Sequence, residues 1–446
     1  MYQVPQYIDN NKIFIVQKSE IVGRLDPKMV LYNRKVQHSI YPKFPLRKLL
    51  TCKPQYGAGE SGIIRTSLSE PRYIRITDIN DDGLISTNEL GATAKNVEDK
   101  YILNENDILI ARSGSVGKTY IHKQTPYECF FAGYLIRFII NPKLAIPDYI
   151  FAYTQLNAYK EWVNAISRPS VQSNINSAEY QSLEIPLPNI AKQQELVDII
   201  KSAYISKQQK EFEAQQLLDS IDTYLFDELG MVIPQISTNL TNRIVITNFK
   251  DIVDTRIDPY YTMYVNHEYQ STKFENVPLG RSAHIVKGTA LTSKEVISGN
   301  IPVIAGGQTV PYHHNVSNFV GNVITVSASG AYAGFVWYHT TPIFATDCSV
   351  VYSKDETKFL TAYIYEVLRY LQAVVYRLQV GAAQPHVYPT DLMNIQIPCL
   401  PIEQQKSIVE RTAILRQQAK DLHAEGKAIL ENAKKDVERM IMGESS

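Results

Sequence analysis

Cysteine is scarce and scattered in this chain. Cys52, Cys129, Cys348 and Cys399 form no CxxC pair, which argues against a structural zinc site or a disulfide framework and fits a reducing cytoplasm. No stretch approaches the ~20 unbroken apolar residues needed to cross a bilayer, so no membrane association is expected. The opening Met1-Tyr2-Gln3-Val4-Pro5-Gln6 has no basic stretch followed by an apolar core, which speaks against secretion. Net charge is absent too, with Lys+Arg and Asp+Glu both at 45. That counts against a chain gripping nucleic acid alone, because phosphate neutralisation leaves a basic excess. A chain whose partners supply much of the phosphate grip escapes the objection. There is no GxSxG, no HExxH, no GxGxxG after a strand and no Asn-Pro-Pro-aromatic run of the kind amino-methyltransferases use.

What is present is ordinary globular composition, 44% apolar and 20% charged over 446 residues, enough for two or three domains with real cores. Tyrosine is the exception, at 29 against 14 phenylalanines. A rigid apolar body with a hydroxyl suits a recognition surface, and an AT-rich gene would give the same excess.

The chain repeats itself once. Lys12-Ile13-Phe14-Ile15 with Glu20–Pro27 recurs as Arg243-Ile244-Val245-Ile246 with Asp251–Pro259, preceded by Val4-Pro5-Gln6 and Ile233-Pro234-Gln235. Phe44-Pro45-Leu46 pairs with Val277-Pro278-Leu279, Asn106–Gly114 with Gly321–Gly330, and Gln172-Ser173-Asn174-Ile175 with Gln384-Pro385-His386-Val387. Leu183-Glu184-Ile185-Pro186-Leu187-Pro188 then Gln193-Gln194 matches Ile395-Gln396-Ile397-Pro398-Cys399-Leu400-Pro401 then Gln404-Gln405. One such match means nothing, but this many in one order describe a duplication. Its period, above roughly 200 residues, belongs to duplicated domains and not to a solenoid.

Each copy ends in a proline-free stretch that reads as a long helix. The second keeps apolar or small residues at 3–4 spacing, Ile408, Leu415, Ala419, Leu422, Gly426, Ile429, Ala433, Val437 and Met440, with Thr412 filling a place: a coiled-coil seam. The first, Leu196, Ile200, Ala203, Ala214, Leu217, Ile221, is interrupted by Lys207 and Lys210, a polar middle that is exposed or faces a partner. Roughly 40 helical residues make a rod about 60 Å long, which needs a mate. The duplicate, packed antiparallel, is the mate expected. The fold class is mixed α/β: globular domains at 1–188 and 231–400, a central spacer helix at 189–230 and a C-terminal helix at 401–446 pairing with it. Strands are expected at Arg72–Ile76, Asp107–Ala111, Tyr134–Ile140, Val323–Val326 and Ser349–Tyr352, and helices at Asp148–Val163 and Lys358–Arg377.

Ala111-Arg112-Ser113-Gly114-Ser115-Val116-Gly117-Lys118-Thr119 approximates a phosphate loop, but Arg112 stands where that motif needs glycine, and Ser329–Phe335 in the other copy has no Lys-Thr. A tight glycine turn that brings backbone amides to a phosphate or base edge is the stronger reading, and a turn with no ligand stays open. His313, His314 and His339 lack Asp, Glu or Cys at ligand spacing and read as polar loop residues, with no metal expected. Arg168–Asn174 and Val380–His386 are amide-rich loops. Gln and Asn can bond an adenine edge and Arg a guanine edge, or Gln172 and Gln384 cap the strand ending in Ile-Pro.

Taken together, the Ile-Pro-Leu-Pro steps, the Gln-Gln-led helices and the Asp107–Lys118 strand and turn, all duplicated, resemble the specificity subunit of type I restriction-modification systems over essentially the whole chain. The resemblance implies a non-catalytic subunit whose two target-recognition domains each read one half of a bipartite, asymmetric site in double-stranded DNA, with the helices fixing the gap. It implies two methyltransferase subunits docked on the helices, S-adenosylmethionine bound in those partners and not here, and restriction–translocase subunits joining for cleavage. The DNA contacts expected near the matched turns are Arg75, Arg112, Ser113, Ser115, Lys118, Arg168, Gln172 and Asn174 in the first copy. In the second they are Lys287, Gln308, Ser329, Tyr332, Gln384 and His386. Ala328 stands where Arg112 does, so an Arg112 contact does not transfer. The competing readings are a methylation-only or fused system, a nucleotide-hydrolysing enzyme built on Gly114–Thr119, and a scaffold spacing two proteins.

Overall fold

The computed structural model describes residues 15–18, 27–35, 39–85, 90–167, 173–231, 246, 269–381 and 383–443. Arg168 and Gln172 lie outside these, as does most of the Lys12–Pro27 and Arg243–Pro259 match. Two compact units are present, Met1–Lys210 with Ala424–Ser446, and Glu211–His423.

The first unit is built on an antiparallel sheet in the order Gln55–Tyr56, Leu135–Phe138, Ile108–Ala111, Thr119–Ile121. Successive residues of a strand point to opposite faces. Ile108 and Ile110 therefore join a core with Phe138, Tyr149, Trp162 and Tyr180, while Leu109 and Ala111 pack with Ile74 and Phe131. Covered on both faces, this strand carries no polar side. The helix expected at Asp148–Val163 is two, Pro147–Tyr153 and Asn157–Ile166. Between them the Thr154 hydroxyl turns back to donate to the Phe151 carbonyl at 2.6 Å and lies 2.9 Å from the Thr119 hydroxyl, a local bond that competes with continuing the helix.

The second unit repeats that sheet strand for strand: Ala283–Lys287, Cys348–Ser353, Val323–Ser327, Val336–His339, all antiparallel. It adds a mixed sheet of Tyr312–His314, Ile301–Ile304 and Phe344–Ala345. The helix expected at Lys358–Arg377 is again two, Thr361–Tyr370 and Gln372–Arg377. The histidines correct the sequence reading. His313 is exposed, but His314 is buried edge-on to Phe344, and His339 is buried with Nε2 2.8 Å from the Thr325 hydroxyl. His122, at the same register in the first unit, is buried with Nδ1 2.9 Å from the Tyr120 hydroxyl. Burial lowers both His122 and His339 to a pKa of about 4.

A short strand pair closes each globular part. Lys43–Pro45 runs antiparallel to Glu184–Pro186, and Asn276–Pro278 to Gln396–Pro398. Tyr149 donates to the Pro186 carbonyl at 2.6 Å and Tyr363 to the Pro398 carbonyl at 2.8 Å, so tyrosines pin both Ile-Pro steps. Part of the tyrosine excess is thus internal bracing, which neither sequence reading anticipated.

The long helices are Ile190–Leu229 and Ile402–Met442, ended by Gly230 and Gly443 at positive φ. Within the first unit they run antiparallel, Leu196 and Val197 sharing a core with Val437 and Ile441, and Lys210 Nζ lying 3.2 Å from Glu425. Within the second, Ile221 and Leu225 share a core with Ile408 and Leu415. The seam departs from the expected one after Gly426. Leu430 and Ile441 are buried where Ile429 and Met440 were expected, and Lys434 takes the place of Ala433. Ile408, Ala419, Leu430 and Ile441 recur every eleven residues, as do Leu415, Gly426 and Val437. An eleven-residue repeat holds ~3.67 residues per turn, close to a straight helix, so a seven-residue reading drifts off the stripe.

The polar middle of the central helix is accounted for inside the first unit. Lys207 and Lys434 both reach the Asp82 carboxylate, Lys434 at 3.6 Å, and none of the three is more than 18% exposed. The Gln-Gln steps also resolve. Gln193, fully buried, accepts from the Ile146 amide at 2.8 Å and donates to the Pro188 carbonyl at 2.9 Å. Its counterpart Gln405 accepts from the Leu360 amide at 2.9 Å and donates to the Lys358 and Leu400 carbonyls at 2.7 and 2.8 Å. The buried glutamine is the first of its pair in one copy and the second in the other. All four cysteines are free, and among the described residues no helix is long and apolar enough to cross a membrane.

Candidate functional site

The duplicated turn leaves the middle strand of each sheet. In the first unit it runs from Arg112 to Lys118, with Gly114 and Gly117 at φ +71° and +82°, conformations that glycine alone adopts freely. The Gly117 amide donates to the Ala111 carbonyl at 3.0 Å and to the Tyr180 hydroxyl at 3.1 Å. Tyr180 in turn donates to the Ala111 carbonyl at 2.7 Å, and Tyr159 to the Gly117 carbonyl at 2.9 Å. In the second unit Gly330 and Gly334 lie at φ +83° and +93°, and the Gly334 amide donates to the Ser327 carbonyl at 2.7 Å. Glutamines replace the tyrosine struts: Gln372 donates to the Gly334 carbonyl at 2.8 Å and Gln379 to the Ala333 carbonyl at 2.7 Å.

Backbone bonds define which residues correspond. Ser113 bridges Asn174 and Ser329 bridges His386. The Ile175 amide donates to the Arg112 carbonyl at 2.9 Å, as the Val387 amide does to the Ala328 carbonyl at 3.0 Å. The Arg112 amide donates to the Tyr134 carbonyl at 2.9 Å, as the Ala328 amide does to the Asp347 carbonyl at 3.1 Å. Strand register adds one more pair, because Tyr56 sits opposite Ile136 and Lys287 opposite Ser349. The frame is therefore shared and its side chains are not: Tyr56, Arg112, Tyr134 and Asn174 in one unit stand where Lys287, Ala328, Asp347 and His386 stand in the other.

In the first unit the Arg112 guanidinium lies over the Tyr56 ring, 4.9 Å from its centre, and its buried Nε has no hydrogen-bond partner. Tyr56 accepts from the Ser177 amide at 3.1 Å, while Tyr134 and Asn174 are exposed. Ser115 and Lys118 line a separate pocket of about 420 Å³ with Asp81, Lys160 and Asn164, Lys118 Nζ lying 3.8 Å from Asp81. Arg75 is engaged elsewhere, holding Asp78 at 2.9 and 3.1 Å.

In the second unit Lys287, Ala328, Asp347 and His386 line one cleft of about 410 Å³ with Thr292 and Tyr388. Asp347 accepts from the Ser329 hydroxyl, and His386 stacks on Tyr388 with ring centres 6.0 Å apart. Gln308 is exposed on the loop whose Gly306 abuts this turn, where a Cβ would fall 2.7 Å from the Ser329 carbonyl oxygen. Tyr332 and Gln384 are exposed beside it. Sequence reasoning missed Tyr56, Tyr134 and Asp347, because only cross-strand pairing brings them to the turn.

The phosphate-loop alternative loses its context here. Such a loop delivers its amides at a helix N-terminus, whereas Lys118 is followed by the strand Thr119–Ile121 and the Gly117 amide is already bonded. Among the described residues no three His, Cys, Asp or Glu side chains gather as metal ligands would.

Comparison with known proteins follows the duplication. Residues 67–219 and 272–432 each match the family described as the type I restriction modification DNA specificity domain. Two curated relatives are the StySPI specificity subunit of Salmonella potsdam, 30% identical over 128 residues, and the EcoKI specificity subunit of Escherichia coli (strain K12), 29% identical over 126. These alignments span 27% of this chain, and 27% and 26% of the two relatives. Among solved structures, one from work on complex assembly and conformational transition of the type I R-M system matches at TM-score 0.51 and 13% identity, covering 90% of this chain and 98% of that one. The S subunit from M. genitalium matches at TM-score 0.45 and 15% identity, covering 91% and 97%.

Proposed function

This chain belongs to the type I restriction modification DNA specificity domain family, and on that premise we propose that it is the sequence-reading subunit of a type I restriction-modification complex. Each globular domain, 1–188 and 231–400, reads one half of a bipartite, asymmetric site in double-stranded DNA. The helices at 189–230 and 401–446 set the gap and receive two methyltransferase subunits. S-adenosylmethionine is bound by those partners, restriction–translocase subunits join for cleavage, and the complex works in the cytoplasm. The chain itself catalyses nothing.

One observation carries this reading: the two turns share their anchoring backbone bonds, the second turn being one residue longer, while the side chains around them differ. Two readers of unlike half-sites need a common scaffold and different contacts. Arg112, Ser113, Asn174, Lys287, Ser329 and His386 stand at those turns, with Gln308, Tyr332 and Gln384 on adjoining loops. Ser115 and Lys118 suit phosphate, and the neutral net charge fits a subunit whose partners share the backbone grip. Arg75 is the weakest member of the expected set, since its guanidinium already serves Asp78.

The test is protection of DNA by the full chain assembled with its methyltransferase subunits. A split site with a fixed gap is expected. Inserting four residues after Gln215, about one helical turn and ~6 Å, changes the gap and leaves both half-sites as they were. A complex without sequence preference, or an insertion that rewrites the half-sites, refutes the proposal.

A further inference from the structure

Asp347 is an odd side chain to find on a surface that reads a polyanion. It is exposed, its carboxylate accepts one hydrogen bond, from Ser329, and no cation pairs with it among the described residues. Facing phosphate, such a carboxylate is repelled. It is useful only where it meets a hydrogen-bond donor, and the donors on a base-pair edge in the major groove are the exocyclic amino groups, cytosine N4 and adenine N6. Cytosine fits better, because adenine sets its N7 acceptor beside the amine.

The neighbours make the same point. Lys287, lining the same cleft, offers a cation to phosphate or to a base acceptor, and Ala328 brings only a methyl group to it. In the first unit the corresponding positions reverse the polarity. Tyr134 has no carboxylate to offer, and Arg112 carries a guanidinium over the Tyr56 ring, 4.9 Å from its centre. A guanidinium in that pose suits the paired acceptors O6 and N7 of guanine.

We infer that the two half-sites are read in unlike ways: Asp347 takes a C·G pair through cytosine N4 in the half read by the second unit, and Arg112 takes a G·C pair through guanine O6 and N7 in the half read by the first. This inference rests on the DNA-reading function proposed above and specifies its chemistry.

The experiment is selection from randomised duplexes by the full chain assembled with its methyltransferase subunits, comparing the wild type with Asp347→Ala, Asp347→Asn and Arg112→Ala. Asp347→Ala is expected to lose preference for a C·G pair at one position of one half-site, by about 5- to 150-fold, with the other half-site unchanged. That retained half-site also reports an intact fold. Asp347→Asn keeps the shape and adds a donor, so an A·T pair becomes accepted at the same position. Arg112→Ala loses a guanine in the opposite half. If Asp347→Ala leaves both halves as in the wild type, if both change, or if the pair lost is A·T, the inference is overturned while DNA reading stands. If Asp347→Ala binds nothing, Asp347→Asn decides, and an unaltered motif overturns the inference. A wild-type complex that selects no sequence removes the underlying function and the inference with it.

Discussion

Replacing Gln405 by alanine removes three hydrogen bonds from a fully buried position at the root of the C-terminal helix. The Leu360 amide loses its acceptor, and the Lys358 and Leu400 carbonyls lose a donor. Each orphaned buried group costs about 1–3 kcal/mol, less for a carbonyl that keeps a second lone pair, so the loss is about 3–5 kcal/mol. Set against the ~5–15 kcal/mol of a whole domain, that is severe. Gln193, with two bonds, loses about 2–4 kcal/mol on the same change. Glutamate sharpens the test at position 405. An ionised carboxylate still accepts from Leu360 but confronts two carbonyl oxygens, and protonation restores a donor to one of them. The folded state then binds the proton more tightly than the unfolded state, so the deficit of Gln405→Glu is largest at neutral pH and narrows as pH falls towards 5. The chain has two tryptophans, and Trp162 and Trp337 lie in different units. Urea unfolding followed by Trp337 fluorescence in a Trp162→Phe background therefore reports the second unit alone. A Gln405→Ala loss below about 1 kcal/mol, or a Gln405→Glu deficit that grows on acidification, refutes the keystone role.

Tyr180→Phe leaves the ring and deletes the hydroxyl that bonds both Gly117 and Ala111. A loss of about 1–3 kcal/mol by Trp162 fluorescence is expected, with weakened reading of one half-site and the other intact. Asp82→Ala removes the carboxylate that Lys207 and Lys434 share in a site with little solvent, while Lys434 keeps Glu431 at 3.0 Å, and is expected to cost about 1–3 kcal/mol, measured by thermal unfolding. Substituting all three with apolar residues is expected to recover that stability; failure to do so points to loss of the loop itself. His122 and His339 hold fewer protons folded than unfolded between pH 6.5 and about 4. Their contribution is complete above pH 6.5 and is lost as pH falls through that window. Substituting both by glutamine flattens the acid limb of a stability–pH profile, and an unchanged limb excludes them as its source.

The duplication, the long helices and the turn motif were legible because each is written in local order: prolines, glycines and short apolar runs. What stayed hidden depends on pairing across the chain. Asp347 and Tyr134 reach the turn through strands whose register no local pattern states. Gln193 and Gln405 occupy the same structural place, yet the Gln-Gln match aligns them one residue out, since counting from the Ile-Pro step and counting glutamines give different answers. Ile429 and Met440 fall in the seam only on a seven-residue rhythm carried past Gly426, where the packed stripe follows eleven. His339 looked like a loop residue for want of any visible partner, and its partner Thr325 lies on the adjoining strand.

The strand pairs at Lys43–Pro45 with Glu184–Pro186, and at Asn276–Pro278 with Gln396–Pro398, act as latches. Everything between the two strokes of a latch leaves and returns through neighbouring strands, and meets the long helices at a few further points, Asp82 with Lys207 and Lys434 and Glu366 with Arg416. On the proposed function, a different reading head in either place has to keep those meetings together with the Ile-Pro step, the tyrosine that clasps it and the glutamine beyond. The protein is in that sense a holder for two heads, each gripped at its base by one latch.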